Sequence, residues 1–373
     1  MKFIICFIGI LTASSVSMAS KARLEALGQD TNGSYFIMDN RNIFLNPASI
    51  SGFENQINLE VGNSVSPKAE GGLINKSSFG TLGLHLGRYG MGAQNIMSAE
   101  LTPTSLTLFK PQNSVELLYG KELSNINIGF ALLYANSSSD TGETVNLPDS
   151  TSTVTTFRAG VEANKFGALL VYGLTEESKT ENTATTNIEY DGKNSIKLGG
   201  YYNFTDNTKL SAEIKQVDFN FDDGTGTVTG ERGSQEIGIN FYNKLTGDED
   251  YFVFYTIGLT QAEYTVDYDQ VAADDIEDKR MYLPIVIGGE AKVKEWLTLR
   301  ASVKQNTMID DVDYKDNVNN KKTSNIDDTV VAAGLGLNFG RVTIDSVFAG
   351  VSSGSGKIDG NEFLAKTAFK YTY

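Results

Sequence analysis

The chain has 373 residues, 31 Lys+Arg against 46 Asp+Glu, and a formal net charge of −15. An acidic balance of this size repels phosphates and argues against a nucleic-acid partner. Cys6 is the only cysteine and His85 the only histidine, which argues against a zinc enzyme or a disulfide scaffold. No cofactor is expected: the chain has no GxGxxG fingerprint and no P-loop.

Residues 1–19 have the layout of a secretory signal peptide: Lys2, an apolar run from Phe3 to Leu11, then Ser17-Met18-Ala19 with cleavage expected after Ala19. Beyond it no apolar run reaches the ~20 residues of a membrane-spanning helix. The mature chain is therefore either a secreted soluble protein or a membrane barrel.

Residues 20–54 lack alternation and are rich in turn formers, with Asp39-Asn40-Arg41-Asn42 and Asn46-Pro47-Ala48. Two readings stay open: a periplasmic lead-in capping a barrel floor, or a plug in its lumen. The stretch Leu24 to Ser49, with Leu27-Gly28 and Asn46-Pro47-Ala48, resembles the N-terminus of the FadL-like outer-membrane transport proteins. That resemblance implies a hatch inside the barrel and a role in moving hydrophobic substrates.

From residue 55 to Tyr373, segments of about ten residues alternate in polarity. Ile57, Leu59 and Val61 oppose Asn58 and Glu60; Leu82, Leu84 and Leu86 oppose Gly83 and His85; Ile237, Ile239 and Phe241 oppose Glu236 and Asn240. The polar face carries Glu60, His85, Glu116, Arg158, Glu162, Lys197, Glu213, Lys215, Glu236, Glu290, Lys292, Arg300, Asp345 and Lys366. A dry core does not hold so many charges. That face is expected to be wet and pore-lining, and the apolar face to meet lipid.

The predicted fold is all-β: a transmembrane, antiparallel, up-and-down β-barrel of about sixteen strands, between about fourteen and eighteen. Short links at 123–125, 165–167, 205–207, 294–296 and 340–341 alternate with long polar links near 136–152, 176–192, 219–233, 263–280 and 305–327. Short periplasmic turns and long extracellular loops are the outer-membrane arrangement. Tyr119, Tyr134, Tyr172, Phe204, Tyr242 and Phe339 are candidates for interfacial aromatic girdles.

The link 89–112, punctuated by Pro103 and Pro111, is the first candidate for a loop that folds inward. The Asp-rich stretches 263–280 and 309–328 read as solvated loop charge, since they lack EF-hand spacing for calcium; no metal site is expected. The chain ends on a strand whose outward residues finish Phe369, Tyr371 and Tyr373. This terminus resembles the signal read by the barrel-assembly machinery.

These readings place the protein in the outer membrane of a Gram-negative cell, in contact with its lipid and lipopolysaccharide. They predict a porin for passive diffusion of small hydrophilic solutes and ions, with mild cation selectivity set by acidic mouths. Analogy with sixteen-stranded porins suggests a homotrimer. The alternative is a FadL-like transporter of hydrophobic or specific substrates, for which Phe252, Phe254 and Trp296 are candidate lumenal aromatics. A structural or adhesive role of the long loops is a further alternative. Catalysis would need His85 as a base, and a lone His on the polar face reads as pore-lining, so no enzyme is expected.

Overall fold

A computed structural model describes residues 20–61, 69–88, 109–139, 149–181, 187–222, 229–247, 250–269, 276–309, 312–315, 321–323, 329–353, 357–358 and 364–373. The expected signal peptide and most of the link 89–112 lie outside the described residues, as do most of the Asp-rich stretch 309–328 and residues 270–275 of the stretch 263–280.

The strands are β1 (Gln56–Val61), β2 (Ala69–Ser77), β3 (Gly80–Leu86), β4 (Asn113–Leu123), β5 (Ile126–Ser139), β6 (Asp149–Ala163), β7 (Phe166–Glu181), β8 (Asn187–Asn203) and β9 (Thr208–Asp222). They continue as β10 (Thr229–Gly247), β11 (Tyr251–Tyr268), β12 (Ile276–Lys294), β13 (Leu297–Met308), β14 (Val312–Lys315), β15 (Lys321–Thr323), β16 (Thr329–Phe339), β17 (Val342–Ser353), β18 (Lys357–Ile358) and β19 (Leu364–Thr372). Sixteen of them form the wall, each antiparallel to the next in chain order, and β19 pairs with β1 to close the ring. β14 and β15 form a small hairpin continuing the ladder on β12, and β18 pairs with the end of β17.

Closure leaves no unpaired strand edge in the wall, the condition for a sheet to cross a bilayer. The side chains then divide by parity. In β1, Gln56, Asn58 and Glu60 are buried while Ile57, Leu59 and Val61 are exposed; Leu59 is 53% accessible and Glu60 7%. The same inversion continues around the ring through Leu84, Leu117, Leu132, Ile214, Ile239, Leu259, Ile287, Leu299 and Phe369, all exposed. A soluble sandwich would hide these residues; a continuous apolar outer surface requires lipid.

Tight connections lie at one end of the barrel. Two-residue turns join β4 to β5, β12 to β13 and β16 to β17. Ser124 and Gly340 adopt left-handed backbone there, φ 59° and 73°, as tight hairpins of this hand require.

Several expectations need correction. The strands are longer than ten residues along much of the wall: β6 to β9 have 15 to 17 and β10 and β12 have 19. The described residues of the links near 136–152, 176–192 and 219–233, and all but Asp269 of those in 263–280, are ladder rather than loop. A tilted strand crosses the hydrocarbon with ~9–11 residues, so the excess extends beyond it. Tyr242 is buried on the inner face, not in an outer girdle, whereas Tyr134, Tyr172, Phe204 and Phe339 are exposed. Trp296 lies in the β12–β13 turn, 50% accessible, and so is not part of a lumenal patch with Phe252 and Phe254.

Candidate functional site: the occupied lumen

Residues 20–54 lie inside the ring and touch most of its wall. Helix α1 (Lys21–Ala26) is capped by Ser20, whose Oγ accepts from the Arg23 amide. It ends at Leu27 and Gly28, the latter at φ 67°. Its apolar side, Ala22 and Ala26, packs on Ala332, Val347, Ala349 and Ala368 of β16, β17 and β19. Leu24 and Leu27 join Ile37, Tyr242, Phe254 and Val286.

A second helical turn, α2 (Asn42–Leu45), leads into a 3₁₀ helix over Pro47–Gly52. Asn46 caps it by accepting from the Ala48 amide, and its own Nδ2 donates to the carbonyls of Val161 and Ala168, both at 3.2 Å. Those residues are register partners on β6 and β7. A Cβ at Gly129 would overlap Pro47, and one at Gly160 would overlap Asn46. The wall therefore carries glycine where Asn46-Pro47-Ala48 presses against it.

Ionic contacts hold the rest. Arg23 pairs with Glu290 of β12 at 2.8 Å and with Asp39 at 3.0 Å. Arg300 pairs with Glu290 at 2.5 Å and with Asp345 at 2.6 Å, and Ser20 donates to Asp345 at 3.2 Å. Arg41 pairs with Glu60 at 3.3 Å and also with Glu70, which accepts from Lys21 at 2.6 Å. Burial opposes charge on Arg41, but Glu60 and Glu70 outweigh it and hold its pKa above the ordinary guanidinium value. Glu116 pairs with Arg158 and, at 3.1 Å, with Arg88. Arg158 also donates to the carbonyls of Ile43 and Phe44. The guanidinium groups of Arg88 and Arg41 stack on the Phe44 ring, 4.2 and 4.5 Å from its centroid.

Each sequence-selected residue has a place in this frame. Glu60, Glu290, Arg300, Asp345, Glu116 and Arg158 belong to these buried networks. His85 is buried edge-on to Phe44, with ring centroids 4.7 Å apart. Glu162 accepts from Ser49 at 2.6 Å, and Lys366 donates to Glu25 at 2.7 Å. Lys197 and Glu213 pair at 2.7 Å, and Lys215 and Glu236 stand near them on the same polar cavity. Lys292 sits at the turn end, paired with Asp250 and Glu295. Phe369, Tyr371 and Tyr373 point outward, with β19 at the closing seam. Arg23, Asp39, Arg41, Glu70 and Arg88 were not among the selected residues. Among the described residues no group of three or more His, Cys, Asp or Glu is placed to hold a metal ion.

Described residues line two cavities beside this segment. One of about 500 Å³ lies toward the turn end, lined by Met38, Phe53, Gln56, Tyr201, Lys209 and Thr372, among others. The other, about 450 Å³, lies farther along the barrel against Lys215, Glu236, Asn240, Thr260, Tyr282 and Lys304. Beyond it, toward the loop end, the inner face turns apolar. Leu133, Val154, Tyr190, Val217, Phe219, Phe221 and Val266 form a buried cluster, with Tyr190 and Phe219 at 4.4 Å between ring centroids. The carbonyl of Phe109, at the end of the link 89–112, accepts from Ser178 of β7 at 2.7 Å. This end of the link reaches the inner face across β5 and β6.

No protein-family model matches the chain, and no curated protein matches it in sequence. Among solved structures it is similar to the CymD monoaromatic hydrocarbon channel, at 10% identity and TM-score 0.44, over 97% of this chain and 99% of that one. It is similar to a Pseudomonas aeruginosa FadL homologue at 10% identity and TM-score 0.45, over 95% and 98% of the two chains. It is also similar to the Pseudomonas putida toluene transporter TodX, at 13% identity and TM-score 0.37, over 92% and 95%. The closed ring, its apolar outer surface and its inverted burial pattern, all features of the chain's own structure, make it an outer-membrane β-barrel with its N-terminal segment held inside.

Proposed function

We propose that the protein is an outer-membrane transporter for small hydrophobic or amphiphilic substrates rather than an open diffusion porin. The content of the lumen carries the reading. An ion-paired segment occupies the turn half of the barrel, and an aromatic and aliphatic cluster lines the inner face of the loop half. Hydrophilic solutes diffusing through a porin gain nothing from buried Phe219, Phe221 and Tyr190, whereas an apolar solute leaving water does. The loop-end cluster is then the first landing place, and residues 20–54 prevent leakage behind it. The resemblance of Asn46-Pro47-Ala48 to the FadL-like N-terminus agrees with this role.

The test is to refold the mature chain into planar bilayers and, separately, to titrate it with the hydrophobic fluorophore N-phenylnaphthylamine. Silence in the bilayer is expected, with saturable fluorophore binding that weakens in Phe219→Ala/Phe221→Ala. Large, steady, weakly selective conductance steps from the wild type would return the protein to the porin class. Reversal potentials in a salt gradient would then give the sign of its filter.

A further inference from the structure

The N-terminal segment is not held evenly. Residues 20–26 and 39–50 are fastened to the wall through Arg23, Arg41, Asn46, Lys21 and Ser49. Between them, residues 28–38 make two hydrogen bonds to the wall among the described residues: Tyr35 Oη donates to Glu213 at 3.0 Å, and Lys209 Nζ donates to the Phe36 carbonyl at 3.1 Å. Two ring contacts add to these: Phe36 is stacked on Tyr242 with centroids 5.2 Å apart and planes 8° from parallel, and the Tyr35 ring is tilted against Tyr201 at 6.2 Å; Ile37 is buried beside Tyr242, Phe254 and Val286. The remaining hydrogen bonds of this stretch stay within the segment, such as Ser34 Oγ to Gln29 and the Ser34 amide to Asn42.

This weakly held stretch also stands between the two cavities. Ser34, Tyr35, Phe36 and Leu45 line both of them. The cavity at the turn end and the one farther along the barrel thus lie in series, separated by one thickness of chain. The backbone crosses between them by turning at Gly28 and Gly33, φ 67° and 134°, conformations that glycine adopts readily. A Cβ on Gly33 would come within 2.7 Å of the Leu45 Cβ.

We propose that Tyr35 and Phe36 form a local gate between the two chambers, which opens while the ion-paired parts of the segment stay in place. The inference rests on the reading that a substrate crosses the lumen. Opening breaks the Tyr35–Glu213 and Lys209–Phe36 hydrogen bonds, unstacks Phe36 from Tyr242 and draws Tyr35 away from Tyr201; it leaves Arg23, Arg41 and Asn46 on their partners. Because the groups broken are few, a substrate with modest preference for the open state shifts the gate. Ejecting the whole segment would instead expose several buried ion pairs at once.

The experiment compares full-length mature variants in planar bilayers, each first checked for a heat-modifiable folded barrel. Tyr35→Ala/Phe36→Ala is expected to give sustained conductance where the wild type is silent. Tyr35→Phe, which removes only the bond to Glu213, is expected to raise open probability about tenfold, the size of effect that losing one hydrogen bond to a charged group has on a two-state equilibrium. Arg23→Gln/Arg41→Gln, which loosens the fastened parts, is expected to remain closed. If that variant opens and Tyr35→Ala/Phe36→Ala stays silent, the segment moves as one body; the gate is overturned and the transporter reading stands. Silence from every variant also overturns the gate. Steady conductance from the wild type removes the transporter reading itself. Should the double variant fail to fold, Tyr35→Cys serves in its place, because the chain after Ala19 has no other thiol. A small charged thiol reagent is expected to raise its current, and no change overturns the proposal.

Discussion

Glu116 shows how much of the lumen depends on single residues. Its carboxylate lies between Arg158 and Arg88, and all three side chains are buried. Replacing it with Leu leaves two guanidinium groups in a space built around a negative charge. Removing one partner of a buried pair destabilises by about 3–5 kcal/mol. Glu116→Leu is therefore expected to lower the urea midpoint of the refolded barrel in vesicles by that equivalent, while Glu231→Leu, at an exposed pair with Lys193, changes it little. A Glu116→Leu barrel as stable as wild type would mean that the network contributes nothing to folding. Period-two alternation placed Glu116, Arg158 and Glu290 on one face. It carried no information on what that face meets. Arg23, Asp39 and Arg41 sit in a segment without periodicity, and their partners are fixed only when the ring closes. The one local signal was Asn46-Pro47-Ala48, whose amide and proline find their places on β6, β7 and Gly129.

At the scale of elements, the wall was legible where it touches lipid and illegible beyond it. Leu132 and Leu133 are neighbours on β5, one 43% and the other 1% accessible. Alternation of that kind reports the contrast between hydrocarbon and lumen. Past the membrane the outer face of a strand meets water, so the apolar-outward contrast disappears while the hydrogen-bond ladder continues. Ser150, Ser152 and Thr180 therefore read as loop, yet Ser150 Oγ donates to Thr180 across the β6–β7 ladder. The two faces give a sharp test. Leu132→Arg sets a charge against the bilayer interior, where such substitutions cost about 2–4 kcal/mol near the midplane. Thr151→Arg, an exposed position on the β6 extension, is expected to be nearly neutral. Unfolding midpoints of the two variants check this; equal effects would place the apolar belt elsewhere on the wall.

For the whole molecule, closure is the event on which everything else depends, and it happens at β1 and β19. Six register pairs, from Gln56–Thr372 to Val61–Thr367, join the first strand to the last. Tyr373 donates its amide to the Asn55 carbonyl, which extends the seam to the chain end. Phe369, Tyr371 and Tyr373 face outward along it. Two roles account for aromatic residues there: packing against lipid, or recognition by the assembly machinery before the ring has closed. The roles separate by where a defect shows. Phe369→Ser/Tyr371→Ser removes apolar area from a surface that lipid covers, so a packing role lowers stability of the purified barrel by roughly the transfer free energy of the lost rings. A recognition role leaves refolding into vesicles near wild type and reduces the amount of heat-modifiable barrel delivered to the outer membrane of cells. We expect the second pattern, because the seam's backbone ladder runs through residues whose hydrogen bonds do not depend on those rings. Equal losses in cells and in vesicles would assign the terminus to packing alone.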